Sequence, residues 1–172
     1  GRQTKNKRDL TINNNDILRR LRYSFDFNDS KMITVFAQAD LAVSRSQVSN
    51  WLKKDDDPEQ QPCDDRILAC YLNGLINEMR GKKEGTQPEP EDKLNNNIIF
   101  KKLKIALNLK AEDILRMMAL VDFTISKHEL SAFFRKKGHK HYRECQEQIL
   151  RNFLHGIQLE YRDETENENN AD

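Results

Sequence analysis

Glycine and proline are scarce in this chain, with six and four residues among 172. Valine and threonine are also few, whereas leucine, lysine, arginine, glutamate and alanine are common. No segment keeps the alternation of apolar and polar residues that a half-buried strand requires. Since the common residues are good helix formers, the composition predicts an all-α fold.

Long apolar runs and paired cysteines are missing as well. The longest apolar stretches, such as "NIIF" and "RMMALV", are far shorter than the ~20 residues of a membrane-spanning helix, and no signal-like N-terminal segment is visible. The three cysteines, Cys63, Cys70 and Cys145, are an odd number without close spacing. These absences predict a protein with no membrane segment and with reduced thiols, located in the cytoplasm.

What the chain does contain is an internal repeat. Setting each residue against the one 82 positions later aligns residues 13–80 with residues 95–162 without a gap, and gives 17 identities over 68 positions. Both copies open with "NNN", and Cys63 pairs with Cys145. An ungapped duplication predicts that the two copies share one backbone.

The repeat divides the chain into five predicted parts. These are a basic tail over 1–12, a first helical repeat over 13–80, a linker rich in glycine, proline and charge over 81–94, a second helical repeat over 95–162, and an acidic, disordered tail over 163–172. Glycine, proline and mixed charge in the linker favour an extended conformation.

Each copy is predicted to form about four helices, because its apolar residues recur at helical spacing. In the first copy the predicted helices cover residues 13–25, 29–39, 44–54 and 64–80. The third helix opens with a capping box in both copies, Ser44 with Gln47 and Ser126 with Glu129. In such a box the serine hydroxyl and the side chain three residues later each bond the other's backbone amide.

These repeats resemble the YehS-like family of bacterial proteins, whose members carry two tandem copies of a small helical domain of unknown function. The resemblance covers residues 13–161 and rests on "NNNDILRRLRY", "VSRSQVSNWLKK", "LNGLINEMRGKKEG", "QPEPE", "LNNNI" and "SKHELSAFFRKKGHKHYRECQEQILRNFL". It implies a duplicated helical fold and supplies no catalytic residue. The two tails lie outside it.

The stretch "VSRSQVSNWLKK" suggests a function, because it follows a helix and a short turn as the recognition helix of a helix-turn-helix does. With Val48, Trp51 and Leu52 facing inward, four polar residues face outward: Arg45, Ser46, Ser49 and Asn50. Arginine and asparagine can bond guanine and adenine, and hydroxyls can reach phosphates. The solvated face of any packed helix shows a similar pattern, so this alternative stays open.

Charge favours the second copy for a nucleic-acid contact. The first copy has 9 basic and 11 acidic residues, a net charge of −2, whereas the second has 13 and 7, a net charge of +6. Eight cations of the second copy are candidate phosphate contacts: Lys101, Lys102, Lys104, Arg135, Lys136, Lys137, Lys140 and Arg143. That copy has Ala132 in place of Asn50 and His128 in place of Ser46, so the base-reading residues are not repeated.

Metal binding and catalysis find little support in the sequence. His128, His139, His141 and Cys145 are metal-ligand types, but no C-x-x-C pair accompanies them. There is no P-loop, Rossmann glycine pattern, G-x-S-x-G elbow or H-E-x-x-H. Cys145 follows a histidine by four residues, yet its counterpart Cys63 has none nearby. We therefore expect no enzymatic activity, no metal and no cofactor.

Two functions remain open from the sequence. We expect a non-enzymatic regulatory or adaptor module that binds nucleic acid through helix-turn-helix-like lobes. The alternative is a protein-protein interaction module with no nucleic-acid binding. The apolar faces of the two lobes can pack into one unit, and the same faces can serve a homodimer. No membrane partner is expected.

Overall fold

The computed structural model describes residues 12–162, so most of the predicted basic tail and all of the predicted acidic tail lie outside the described residues. The described range forms eight α-helices and no strand: α1 Asn14–Ser24, α2 Asp29–Gln38, α3 Arg45–Leu52, α4 Asp65–Arg80, α5 Asn96–Ala106, α6 Ala111–Ala119, α7 Lys127–Ala132 and α8 Glu147–Ile157. A π-helical turn, Gln158–Arg162, continues α8. The predicted all-α fold with four helices in each copy is confirmed. Over these same residues, no helix combines the length and the apolar character needed to cross a membrane.

The two repeats share their turns as well as their helices. Asp26 and Asn108 have φ values of 54° and 53°, and Asp40 and Asp122 have values of 61° and 56°. Left-handed backbone is uncommon outside glycine, and aspartate and asparagine tolerate it best. Because each pair is separated by 82 residues, the loops that follow the first and second helices have the same conformation in both copies.

The predicted capping boxes are confirmed at the third helix of each repeat. The Ser44 hydroxyl accepts from the Gln47 amide at 3.0 Å, and the Gln47 side chain accepts from the Ser44 amide at 2.8 Å. Ser126 and Glu129 make the same two bonds. The third helix of the first repeat ends at Leu52, two residues earlier than the sequence predicts. Near the end of the third helix in each repeat, a buried asparagine donates to a backbone carbonyl.

That asparagine is the third residue of the "NNN" triplet. In the second repeat the Asn97 amide donates to the Phe133 carbonyl at 3.1 Å and to the Arg143 carbonyl at 2.8 Å, and its oxygen accepts from the Cys145 amide at 2.9 Å. Asn15 makes the equivalent three bonds in the first repeat. The triplet therefore ties the start of each repeat to its third helix and to the loop before its last helix.

The second and fourth helices of each repeat pack closely at a glycine. A Cβ built on Gly156 of α8 would lie 2.7 Å from the Met117 carbonyl oxygen of α6. A Cβ on Gly74 of α4 would collide with the carbonyl of Val35 in α2. A close backbone approach thus explains why this position holds glycine in both copies.

The repeats pack on each other with an approximate two-fold arrangement. The last helix of the first repeat, α4, packs against the first helix of the second, α5, and α8 with its π-helical turn packs against α1. Buried apolar side chains from Ile17 to Ile157 form one continuous core across both repeats. This geometry resembles the self-complementary interface of a two-fold homodimer, here within one chain.

Candidate functional site

The structure places the residues of the predicted recognition helix on α3: Arg45, Ser46, Ser49 and Asn50. The Arg45 guanidinium donates to the Ser30 hydroxyl at 2.9 Å and lies 4.0 Å from the Asp29 carboxylate. The Asn50 side-chain oxygen accepts from the Lys53 ammonium at 2.8 Å. Ser49 is half-buried and Ser46 is exposed. Of the four, Ser46 alone is exposed with no side-chain partner among residues 12–162.

Four of the eight predicted cations line one pocket of about 220 Å³, which we call the basic pocket: Lys101, Arg135, Lys136 and Lys137. Lys101 comes from α5, and the other three cations come from the loop after α7. Phe134 and Tyr142 supply aromatic rings to the lining. Among the described residues the lining holds no carboxylate, and the four cations have no ion pair. Their positive charges therefore add to one another at a surface open to solvent.

The corresponding place in the first repeat is neutralised by acidic residues. Arg19, the counterpart of Lys101, pairs with Asp16 and lies 3.9 Å from Asp55. The Lys53 ammonium lies 2.9 Å from the Glu59 carboxylate. Arg19 and Lys53 are thus already matched with anions.

All three of these carboxylates are replaced in the second repeat. Ile98 stands for Asp16, Lys137 for Asp55, and His141 for Glu59. The same backbone therefore holds ion-paired cations in one copy and, among the described residues, a cluster of cations without ion pairs in the other. Such an excess of positive charge favours the binding of anions.

Three other predicted cations lie near the basic pocket. The Lys104 ammonium lies 5.4 Å from the centre of the Phe134 ring, which itself lines the pocket. The Arg143 guanidinium donates to the Tyr142 carbonyl at 2.9 Å, and Lys140 is exposed on the same loop. These three groups extend the positive surface without lining the pocket.

Lys102 is separate from this group. Its ammonium lies 3.0 Å from the Glu91 carboxylate of the linker, and its side chain is only 13% exposed. It also donates to the side chain of Asn73 on α4. The structure thus places Lys102 at the junction between the repeats, where it is already paired.

The rings of three histidines lie near one another, His128 on α7 and His139 and His141 on the loop after it. The His141 ring lies 5.5 Å from the ring of His139 and 6.4 Å from that of His128, measured between centres. All three are exposed. In the part of the chain that the structure describes, no group of three or more histidine, cysteine or acidic side chains is placed to hold a metal ion.

The two cysteines at the start of the last helices are buried. Burial, helped by the nearby Glu147, raises the pKa of Cys145 to about 12. Burial, helped by Asp64 and Asp65, also raises the pKa of Cys63 to about 12. Because the thiolate is the reactive form, neither thiol is activated as a nucleophile.

Sequence reasoning missed the aromatic lining and the loss of the counter-charges. The tally of charge in each copy identified the second repeat, but did not show which cations are matched. A signal was present in the alignment, since Asp16 and Asp55 each face a non-acidic residue 82 positions later. Tyr142 gave no comparable signal, because only the fold brings it beside the lysines.

Comparison with known proteins supports the two-copy organisation. A family model described as "Protein of unknown function (DUF1456)" matches residues 14–81 and 96–163, which coincide with the two structural repeats. The uncharacterized protein YehS of Escherichia coli (strain K12) is 42% identical over 144 residues, covering 83% of this chain and 92% of YehS. No solved structure matches the chain.

Proposed function

The chain belongs to the DUF1456 family of proteins of unknown function, and from that premise we propose that it is a non-enzymatic module that binds nucleic acid through the basic pocket of its second repeat. One observation carries the proposal: this site is cationic in the second repeat and neutralised in the first. Because both copies keep the same backbone, folding alone does not require the second copy to lose its carboxylates.

The chemistry of the basic pocket suits a phosphate backbone. Lys101, Lys136 and Lys137 are exposed point charges, and Arg135 offers a planar fork that can bond two phosphate oxygens. Phe134 and Tyr142 provide ring faces on which an unpaired base can stack. Contacts of this kind hold a nucleic acid without reading its sequence.

The helix-turn-helix-like lobe of the first repeat is the second part of this proposal. α3 packs on α2 and on α1, as a recognition helix packs on its supporting helices. Ser46 and Arg45 at its start are exposed. Base reading would involve this end of α3, where Asp29 offsets part of the arginine charge.

Two further parts of the proposal rest on the cysteines. The protein acts without catalysis, since the best nucleophile candidates, Cys63 and Cys145, are buried with raised pKa values. It works in the cytoplasm, where three free thiols stay reduced. Labelling of intact and urea-unfolded protein with a thiol reagent tests whether these thiols are inert, because we expect reaction of Cys63 and Cys145 only after unfolding.

The test of nucleic-acid binding is fluorescence anisotropy with random-sequence duplex DNA and RNA across a salt series. We expect binding that weakens steeply with salt, because counterions are released from the phosphates. The triple variant K101E/K136E/K137E should bind at least about tenfold more weakly, and each lost lysine should reduce the salt slope by about one.

A matched control carries the same change of charge elsewhere on the surface. K83E/K93E/K110E reverses three exposed lysines that do not line the basic pocket. It should retain most of the binding, and circular dichroism should show both triple variants folded. Equal losses in the two variants would reject the basic pocket as the site. Absence of binding to DNA and RNA at low salt would reject the function itself.

A further inference from the structure

Part of the linker covers a groove at the junction of α4 and α5. We call this part the strap, residues 85–94. The Arg66 guanidinium lies 3.2 Å from the Glu89 carboxylate and 3.0 Å from that of Asp92, and donates to the Pro90 carbonyl at 3.1 Å. On the other wall, the Lys102 ammonium lies 3.0 Å from Glu91. An extended acidic segment is thus held by cations from two helices.

The approximate two-fold arrangement produces the same groove a second time, between α1 and α8. There it has a volume of about 570 Å³ and is lined by Arg20, Gln148, Arg151, Asn152, His155 and Gln158. Shifted by 82 positions, Arg20 matches Lys102 and Gln148 matches Arg66, the two cations that hold the strap. Asn152 matches Cys70, which lines a pocket together with the strap. We call the groove between α1 and α8 the counterpart groove.

The ends of the two grooves are also equivalent. Where the strap reaches α5, the Leu94 amide donates to the Asp65 carboxylate at 2.8 Å. Where the chain reaches α1, the Ile12 amide donates to the Glu147 carboxylate at 3.1 Å. The counterpart groove therefore has the geometry of one that, in this molecule, already accommodates an extended chain.

The counterpart groove carries two arginines, as the groove beneath the strap carries two cations, but one of the two arginines lies at a different position. Arg151 occupies the position of the fully buried Ala69, and His155 that of Asn73. Arg20 is half-buried, and burial together with the positive charge of Arg151 lowers its pKa. Arginine side chains attract carboxylates, so this lining favours an acidic segment.

From this equivalence we propose that the counterpart groove binds an extended, carboxylate-rich segment of a partner protein, in the way that the first groove holds the strap. The strap identifies the chemistry: carboxylates at spacings of one and two residues, in a stretch kept extended by proline. Arg20 takes the place of Lys102, one of the two cations that hold the strap, and Arg151 supplies a second positive charge from a different position. This interaction is separate from nucleic-acid binding, which involves the loop after α7.

The probe is a fluorescein-labelled peptide that copies residues 85–94, "GTQPEPEDKL". Added to the full chain, it should raise the fluorescence anisotropy in a saturable manner. The strap of the protein outcompetes the free peptide in its own groove, because its attachment gives it a high effective concentration. A peptide carrying the changes E89Q/E91Q/D92N should bind at least about fivefold more weakly, since it lacks the carboxylates.

Two substitutions of the exposed residue Gln148 should change peptide affinity in opposite directions. Q148R recreates the arginine that holds the strap, and should tighten peptide binding by about threefold to fivefold, as one partly exposed ion pair would. Q148E should weaken it by a similar factor. T34R and T34E make the same changes at an exposed position on α2, outside the groove, and should leave the affinity unchanged.

Several results would overturn the proposal. These are failure of the peptide to bind at about millimolar concentration, equal binding of the neutral peptide, and no response to either change at Gln148. Loss of peptide binding in K101E/K136E/K137E would place the peptide in the basic pocket instead. Loss of duplex binding in Q148E, with displacement of the peptide by unlabelled duplex, would assign the groove to nucleic acid.

The acidic residues after Arg162 are an alternative occupant that the same assay distinguishes. The variant D163N/E164Q/E166Q/E168Q neutralises four of them in the full chain. If the groove is for a partner, peptide affinity should change by less than about twofold, as expected for weak, screened charge effects. A large gain in affinity would show that the tail of the chain already competes for the groove, and would overturn a partner as the occupant.

Discussion

Asn97 shows how one buried amide can join three parts of a repeat. It is 7% exposed and bonds two carbonyls and one amide from segments that are 36 to 48 residues away in sequence. A hydrophobic residue of similar size would leave those three backbone groups without partners. Since unsatisfied buried groups are costly, the identity of this residue is strongly constrained.

At this scale we predict that N97A lowers the free energy of unfolding by about 2–4 kcal/mol, because it leaves the Cys145 amide and two carbonyls unsatisfied. N95A, which removes only the exposed cap of α5, should cost about 1 kcal/mol. Urea denaturation followed by circular dichroism measures both. Equal losses in the two variants would contradict the structural role assigned to Asn97.

The pairing of helices depends on positions where two backbones approach each other. Gly74 brings α4 against α2, and Gly156 brings α8 against α6. Both are buried in the core. The contact is made by a backbone carbonyl, which cannot move aside as the end of a flexible side chain can. These two glycines therefore set the distance between the second and fourth helices.

We predict that G156A is destabilising, although alanine is the better helix former by about 1 kcal/mol. The added Cβ would lie 2.7 Å from the Met117 carbonyl oxygen, and overpacking of this kind costs about 1–3 kcal/mol. H155A, at the exposed neighbouring position on α8, should change stability by less than about 0.5 kcal/mol. Thermal unfolding compares the two, and a G156A protein as stable as the parent would contradict the close approach.

The sequence predicted the elements better than the contacts between them. Helical periodicity and the 82-residue repeat were enough to predict the helices and both capping boxes, because these depend on neighbours within a few residues. The paired state of Lys102 could not be predicted, since Glu91 comes from a linker whose path depends on the packing of α4 against α5. Likewise, Tyr142 joins the basic pocket only through the turn of the loop after α7.

One core spans both repeats, so the whole molecule should unfold as a unit. We predict that L150A, which removes a fully buried side chain in the second repeat, costs about 2–5 kcal/mol. Trp51, the sole tryptophan, lies in the first repeat. Its fluorescence in urea should shift to the same lower midpoint as the circular dichroism signal. A tryptophan transition left at its original midpoint would show that the repeats unfold independently.

The two-fold arrangement of the repeats also determines whether a bound polymer has a direction. A symmetric homodimer treats the two strands of a duplex alike, and for that reason favours palindromic sites. In this chain the positive charge of the basic pocket is present in one lobe and offset by carboxylates in the other. The strap lies in one groove and not in its counterpart. The fold is nearly symmetric, but the charges on its surface and the covering of its two grooves are not. A nucleic acid held by the second lobe would therefore have one end facing the first lobe, and the two ends of the bound segment would have different surroundings.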